Sequence, residues 1–290
     1  MVIVGDPVGE THVGLLAGWG ALGIDVTVAA PTEVRTVARP GDVILGRIDV
    51  LPTLDGVQPG LLDLLLLERG GATVLNGAFS LLVAHDKLRT ARVLGGAGLP
   101  HPRTTVVRDG DIGPLRPPVV VKPRFGSWGI DVFRCETQAE LERRLRDLAS
   151  RRWFRRHGAL VQELVPSRGR DLRVVVAAGH VVGAIERQAA PGEWRTNVSL
   201  GGSFVAAIPQ AGARALAIAA ATAVGADVIG VDLLPLGDGY TIVELNGSVD
   251  FDGRYSLPGR SIYADSASAL RLVRPTRQPL GIAPPPSFVG

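Results

Sequence analysis

The stretch VIGVDLLPLGDGYTIVELNGSVDF, residues 228–251, decides how the chain is read. Two apolar runs flank GDG, the composition of a β-hairpin. With Asp238 at the centre of a three-residue turn, positions pair symmetrically about it, so Leu236 faces Tyr240 and Asp232 faces Glu244. Directly opposed residues stand about 5 Å apart at Cβ, and residues two apart on a strand share a face, which adds Asn246 to the two acids. Like charges held this close repel, and a divalent cation relieves them while accepting carboxylate and amide oxygens. Asp232, Glu244 and Asn246 are therefore candidate ligands for magnesium, an ion usually shared with substrate phosphates. The plainer alternative is the solvent-facing polar side of an ordinary hairpin.

Phosphates need cations, and the basic residues are unevenly chosen. Of 31 Lys and Arg, only Lys87 and Lys122 are lysines and the remaining 29 are arginines. Lys122 ends the apolar run VVVKP and is followed by RFGSWG, in which Gly126 and Gly129 permit close backbone approach to a ligand and free N–H groups could cradle phosphate oxygens. Lys87 lies in AHDKLRT, at the head of a helix where a cleft between domains would open. Neither segment is a Walker A loop, and GDPVGE near the start is not a dinucleotide fingerprint. An ordinary β-turn after Lys122 and an ordinary surface Lys87 are the competing readings.

Composition bounds the rest. The 290 residues are 46% apolar and 20% charged, which excludes a disordered chain and leaves room for two domains or one large one. The single cysteine, Cys135, excludes a disulfide framework and a multi-cysteine zinc site. No run reaches the roughly 18 apolar residues of a membrane span, and the first residues carry neither part of a signal peptide, so a cytoplasmic protein without membrane partners is expected. Net charge is only +3, with no nucleic-acid motif, so nucleic acid is not an expected partner. No histidine pair has metal-ligand spacing, and no GxSxG elbow occurs.

Along the chain, MVIVG, IDVTVAA and DVILG read as buried parallel strands with a helix over 11–22, followed by a helix over 61–69, a strand over 73–76 and a helix over 80–95. This first domain is expected to span residues 1–85. Prolines then punctuate shorter strands: 119–123, 130–134 and 159–165, with a helix over 137–149 between the last two, giving a second region over 86–165. A hairpin over 171–187 turning at Ala178-Gly179, a helix over 211–224 and the carboxylate hairpin fill 166–274, and a proline-rich tail over 275–290 is assigned no regular structure.

Taken in order, HDKLRT, VVVKPRFGSWGIDV, VQELVPSRGRDLRVVV, GAIERQ, WRTNVSLGG, GVDLLP and VELNGS resemble the ATP-grasp superfamily, and within it the RimK-like carboxylate–amine ligases and LysX-like amino-acid-carrier ligases. The resemblance covers about residues 76–265. It implies an α/β (α+β) ATP-grasp fold: a small parallel N-terminal domain, a central α+β lid domain and a C-terminal α+β domain. It implies ATP with Mg²⁺ or Mn²⁺, two ions, as cofactors. Lys87 and Lys122 would hold the α- and β-phosphates under a lid formed by Gly126, Ser127 and Trp128. Gln162, Glu163, Leu164 and Val165 would meet the adenine, and Asp171 the ribose. Arg195 and Asn197 would reach the γ-phosphate and the reacting carboxylate, and Arg173 and Arg187 would anchor substrate, with Arg187 also among the catalytic groups. Asp232, Glu244 and Asn246 match the metal ligands, and Asn246 also borders substrate.

Several of these residues have plainer readings. Arg173 and Arg187 could be solvated strand positions, Asn197 a turn residue and Asp171 a strand end. Glu163 resists such a reading, because an acid on an apolar strand is costly to bury without a partner. The reaction implied is phosphorylation of a carboxylate by ATP, followed by attack of an amine on the acyl phosphate. The expected partners are an amino acid or peptide, or an acidic carrier protein or peptide docking on the arginine run ERRLRDLASRRWFRRH, with a homodimer or homotetramer by analogy to relatives. A non-catalytic ATP-binding or partner-docking module on the same scaffold is the alternative. The loop GSVDFDGRYSLPGRS after the metal residues departs from the pattern, which leaves the substrate open, and the first domain carries no transferable motif.

Overall fold

The computed structural model describes residues 1–108 and 111–273 and contains three sheets. The first has the order β2-β1-β3-β4, all parallel, from β1 (Val2–Val4), β2 (Thr27–Ala29), β3 (Val43–Gly46) and β4 (Thr73–Leu75). Helices α1 (Glu10–Gly20), α2 (Val34–Val37), α3 (Leu61–Arg69) and α4 (Ala78–His85) connect and cover it. Crossover helices bury both faces of such strands, which is why VIV and VILG are uninterrupted apolar runs.

Helix α5 (Lys87–Gly96) leads into an antiparallel sheet of order β5-β8-β6-β7, built from β5 (Thr104–Val107), β6 (Val119–Pro123), β7 (Phe133–Cys135) and β8 (Ala159–Glu163). Its core is completed by α6 (Gln138–Leu148), started by a Thr137/Glu140 capping box, and by α7 (Arg152–His157). The third sheet is antiparallel, order β11-β10-β9-β12-β13, from β9 (Arg170–Ala177), β10 (His180–Gln188), β11 (Ser203–Ala206), β12 (Val228–Leu236) and β13 (Gly239–Asn246). Alternate residues of β9 serve two cores. Val174 and Val176 meet the alanine face of α8 (Ala211–Val224), while Val175 and Ala177 join Leu15 and Trp19 of α1 and Ile262 of α9 (Ile262–Ala269).

The first and third sheets are fastened through Asn76. Its amide donates to the carbonyls of Val228 (2.7 Å) and Gly247 (3.2 Å) and accepts from the N–H groups of Asp227 (2.8 Å) and Val228 (2.9 Å).

Several local expectations are corrected. The helix read over 80–95 is two helices, because Asp86 leaves helical geometry to cap α5, accepting from the N–H groups of Leu88 and Arg89. The strand expected over 130–134 begins only at Phe133, since Trp128, Gly129 and Asp131 take positive φ. Strand β11 and helices α7 and α9 were not read from sequence. The proline-rich tail, 275–290, lies outside the described residues.

Candidate active site between the second and third sheets

The carboxylate hairpin places Asp232 opposite Glu244, as expected, but by a different route. The turn holds only Gly237 and Asp238, so Leu236 pairs with Gly239 and Pro235 with Tyr240, not Leu236 with Tyr240. A bulge between Asp232 and Leu233 skips Val243 and restores the register.

Asp232 is buried and bound on both oxygens. Arg173 donates to it from Nε (2.7 Å) and Nη2 (2.8 Å), and Nη2 of Arg187 adds a third bond (2.9 Å). Arg187 also forks onto Asp171, which accepts a further bond from Thr196 Oγ1 at 2.8 Å. Two arginines and two aspartates thus alternate across β10, β9 and β12. Each charge would be expensive to bury alone, and the pairing offsets that cost. Burial by itself would raise the Asp232 carboxyl, but Arg173 and Arg187 outweigh it and hold it below the usual range. For Asp171 burial prevails over Arg187 and the carboxyl is pushed up. Arg173 and Arg187 are therefore enclosed ion-pair partners rather than solvated strand positions.

Both lysines face the same cleft. Lys87, the first residue of α5, reaches Glu244 at 3.0 Å and the carbonyl of Gly126. Asp86 fixes the start of that helix and grips Arg124 at the base of the glycine loop through two bonds of 2.6 and 2.5 Å. Lys122 is buried and donates to Gln162 Oε1 at 2.7 Å. Gln162 is itself oriented by Thr104 (2.7 Å), so its side chain positions Lys122. Burial lowers the Lys122 ammonium to about 8, against the attraction of Glu244. Glu163 is only half-buried at the cleft rim and pairs with Arg103 (Nε–Oε1 2.7 Å), so the expectation of a costly buried acid does not hold. Val165 lines the cleft with it, and the N–H of Leu164 is spent on the Pro118 carbonyl at 3.3 Å.

The loop over 124–132 lies against the β10–β11 connection. Arg195 donates to the carbonyls of Gly129 (2.9 Å) and Val132 (3.3 Å) and pairs with Glu193 at 2.7 Å. Its fork holds the Glu193 carboxyl down at about 2. Ser199 reaches the Trp128 carbonyl at 3.1 Å. At Gly129, with φ of 72°, a Cβ would stand 2.8 Å from Asn197 Oδ1, so the contact requires glycine. Ser127 and Gly126 border the cleft that holds the two lysines, whereas Trp128, half-exposed, borders an adjoining cavity that also meets Glu244 and Asn246.

A cation fits this donor set. Glu244 and Asn246 face one cavity, where the Asn246 amide oxygen would be the ligand atom, while its buried Nδ2, a donor without a protein partner, suits an oxygen of the bound ligand and not the ion. Asp232 has spent three of roughly four carboxylate lone-pair directions, leaving one. Among the described residues no cluster of three His, Cys, Asp or Glu stands ready for an ion.

Residues 84–262 match the family model described as the RimK-like ATP-grasp domain. The chain belongs to the RimK-like ATP-grasp family. This RimK-like chain is 35% identical over 249 residues to a probable alpha-L-glutamate ligase of Serratia proteamaculans, covering 82% of the chain and 80% of the relative. It is 30% identical over 276 residues to the tetrahydromethanopterin:alpha-L-glutamate ligase of Methanosarcina acetivorans, covering 81% and 84%. The fold is shared with the ATP-grasp ligase PsnB, solved with a phosphomimetic variant of its minimal precursor, Mg and ADP, at a TM-score of 0.62 and 20% identity, covering 93% and 97%. Asp86, Arg124, Thr104 and Thr196 support the RimK-like site and were not singled out in the sequence. Asp86 was open to discovery as an N-cap residue before a helix. Thr104 and Thr196 carry no pattern of their own.

Proposed function

We propose that the chain is an ATP-dependent carboxylate–amine ligase that activates a carboxylate as its acyl phosphate and joins it to the amine of an amino acid, with L-glutamate the first candidate. What supports this most is one cleft bordered by Lys87, Lys122, Arg187, Asp232 and Glu244 in a chain of the family whose relatives are named glutamate ligases. Lys87 and Lys122 bind the phosphates. Glu244, Asn246 and the remaining lone pair of Asp232 would hold magnesium, or manganese, as one or two ions. When bound, the cation neutralises phosphate oxygens as charge spreads during phosphoryl transfer.

The protein's own work is positional. The buried arginine–aspartate ladder fixes Asp232 so that it needs no reorganisation during the reaction. The glycine loop, latched by Arg195, Asn197 and Ser199, excludes water that would hydrolyse the acyl phosphate. The amine then attacks the activated carbonyl, and phosphate leaves as the amide forms. Arg195 is the cation best placed to meet the reacting groups when the latch rearranges. An acidic carrier protein or peptide as the other substrate remains compatible with the arginine run. Of that run, Arg152 and Arg156 pair with Asp55 (2.7 and 3.3 Å) and Arg144 stacks on Phe133.

ADP release across a panel of L-amino acids and short peptides tests the proposal, read alongside product mass. Release should require a carboxylate and an amine together, and Glu244→Gln should abolish it while the protein stays folded. ATP turnover indifferent to both substrates, or full turnover by Glu244→Gln, would remove the ligase reading. Glu244 is the cleaner target, because Asp232→Ala would take from Arg173 its carboxylate partner and leave Arg187 with Asp171 alone, at a cost of about 3–5 kcal/mol.

A further inference from the structure

The first sheet, for which the sequence suggested no role, ends in a buried cation facing the adjoining cavity of about 500 Å³. Arg47 follows β3 directly and is only 2% exposed. Its Nε donates to His12 Nε2 at 3.0 Å and its Nη2 to the Val249 carbonyl at 2.8 Å, while its Nη1 is buried without any hydrogen-bond partner. The nearest acid, Asp250, is 3.7 Å away, more than half-exposed, and engaged by Thr11 Oγ1 at 3.1 Å.

His12 is set in place by the otherwise unexplained GDPVG loop. A Cβ on Gly5 would lie 2.4 Å from its Nε2, and one on Gly9 2.8 Å from its Nδ1, so both positions must be bare for the ring to back Arg47. Burial, then Arg47 itself, lowers His12 to about 4, so at neutral pH the ring is uncharged and its Nε2 accepts the hydrogen bond from Arg47 Nε. A charged donor left unpaired in a buried site costs more than a neutral one. A carboxylate matches a guanidinium edge in shape and charge. The cavity also borders Lys87, Glu244 and Asn197 of the nucleotide cleft, so a molecule held at Arg47 lies beside the reaction centre.

We propose that Arg47, backed by His12, binds a carboxylate of the amino-acid substrate, making the N-terminal sheet part of the substrate site. The word substrate rests on the ligase reading, while binding itself does not. The same cavity is bordered by Asp6 and Asp49, which suits the ammonium end of the same molecule.

The test is calorimetric titration of the full chain with Mg²⁺ and ADP bound, using L-glutamate and, separately, glutamate amidated at both carboxylates. Wild type should bind glutamate and bind the diamide about tenfold or more weakly. Arg47→Gln should lose about tenfold in glutamate affinity and keep its ADP affinity, with Arg47→Lys between the two. Equal binding of glutamate and diamide, no binding of glutamate, or an Arg47→Gln variant that binds as wild type does would each overturn the assignment. Should Arg47→Gln fail to fold, Arg47→Lys and the wild-type diamide comparison decide. Glutamate binding through Arg47 without ADP formation would fail the ligase reading alone. ADP formation with an unchanged glutamate KM in Arg47→Gln would fail this site alone.

Discussion

Lys122 is buried, and burial brings its ammonium down to about 8. Below pH 7 it is protonated and meets phosphate as a cation. As pH rises through 8 the unliganded site loses that charge, so kcat/KM for ATP should be level up to about pH 7 and fall above about 8, approaching tenfold per pH unit. Arg cannot deprotonate in this range, so Lys122→Arg should flatten the profile at a lower absolute value. A wild-type profile level to pH 9.5 would dissociate Lys122 from phosphate binding. The two lysines were legible in the sequence because they are rare against 29 arginines. The fates of Glu163 and Arg173 were not. Arg103, the partner of Glu163, lies 60 positions away, and Asp232, the partner of Arg173, lies 59. No local pattern encodes such pairings.

At the scale of elements, the hairpin was legible in its strands and in the Asp232–Glu244 pair, while its turn was not. A three-residue turn and a two-residue turn with a compensating bulge give the same pairing near the acids. Strand β11 was missed because Ser203–Ala206 is short and pairs only on one side, as an edge strand. The glycine loop yields a prediction of its own. Gly129→Ala would meet Asn197 Oδ1 and carry strain at φ of 72°, so the latch should loosen. The expected outcome is a raised ratio of ADP formed to amide formed, with the fold intact. An unchanged ratio would mean that the loop does not guard the intermediate. Asn76 carries a second prediction. Its side chain makes four bonds to the third sheet, so Asn76→Ala should cost about 2–4 kcal/mol, measured by denaturant unfolding. A loss under about 0.5 kcal/mol would show that the junction between the sheets is not held there.

For the whole molecule, the order of strands and helices read from periodicity agrees with three sheets, since buried parallel strands, a central alanine-rich helix and paired hairpins each leave a local mark. The cavity at Arg47 left none. It forms where the carboxyl edge of the first sheet meets the loop after β13, two segments about 200 positions apart, as the 202-residue separation of Arg47 from the Val249 carbonyl shows. Ligand sites at that edge are the general habit of open parallel sheets, so the place was foreseeable although the residues were not.

The central claim is that a carboxylate becomes an acyl phosphate on the way to an amide. It is tested most directly by labelling with ¹⁸O the carboxylate that supports ADP release and following the label through one turnover with L-glutamate as the amine. The account predicts one ¹⁸O atom in each phosphate released, in step with the amide formed. Phosphate free of label would contradict it.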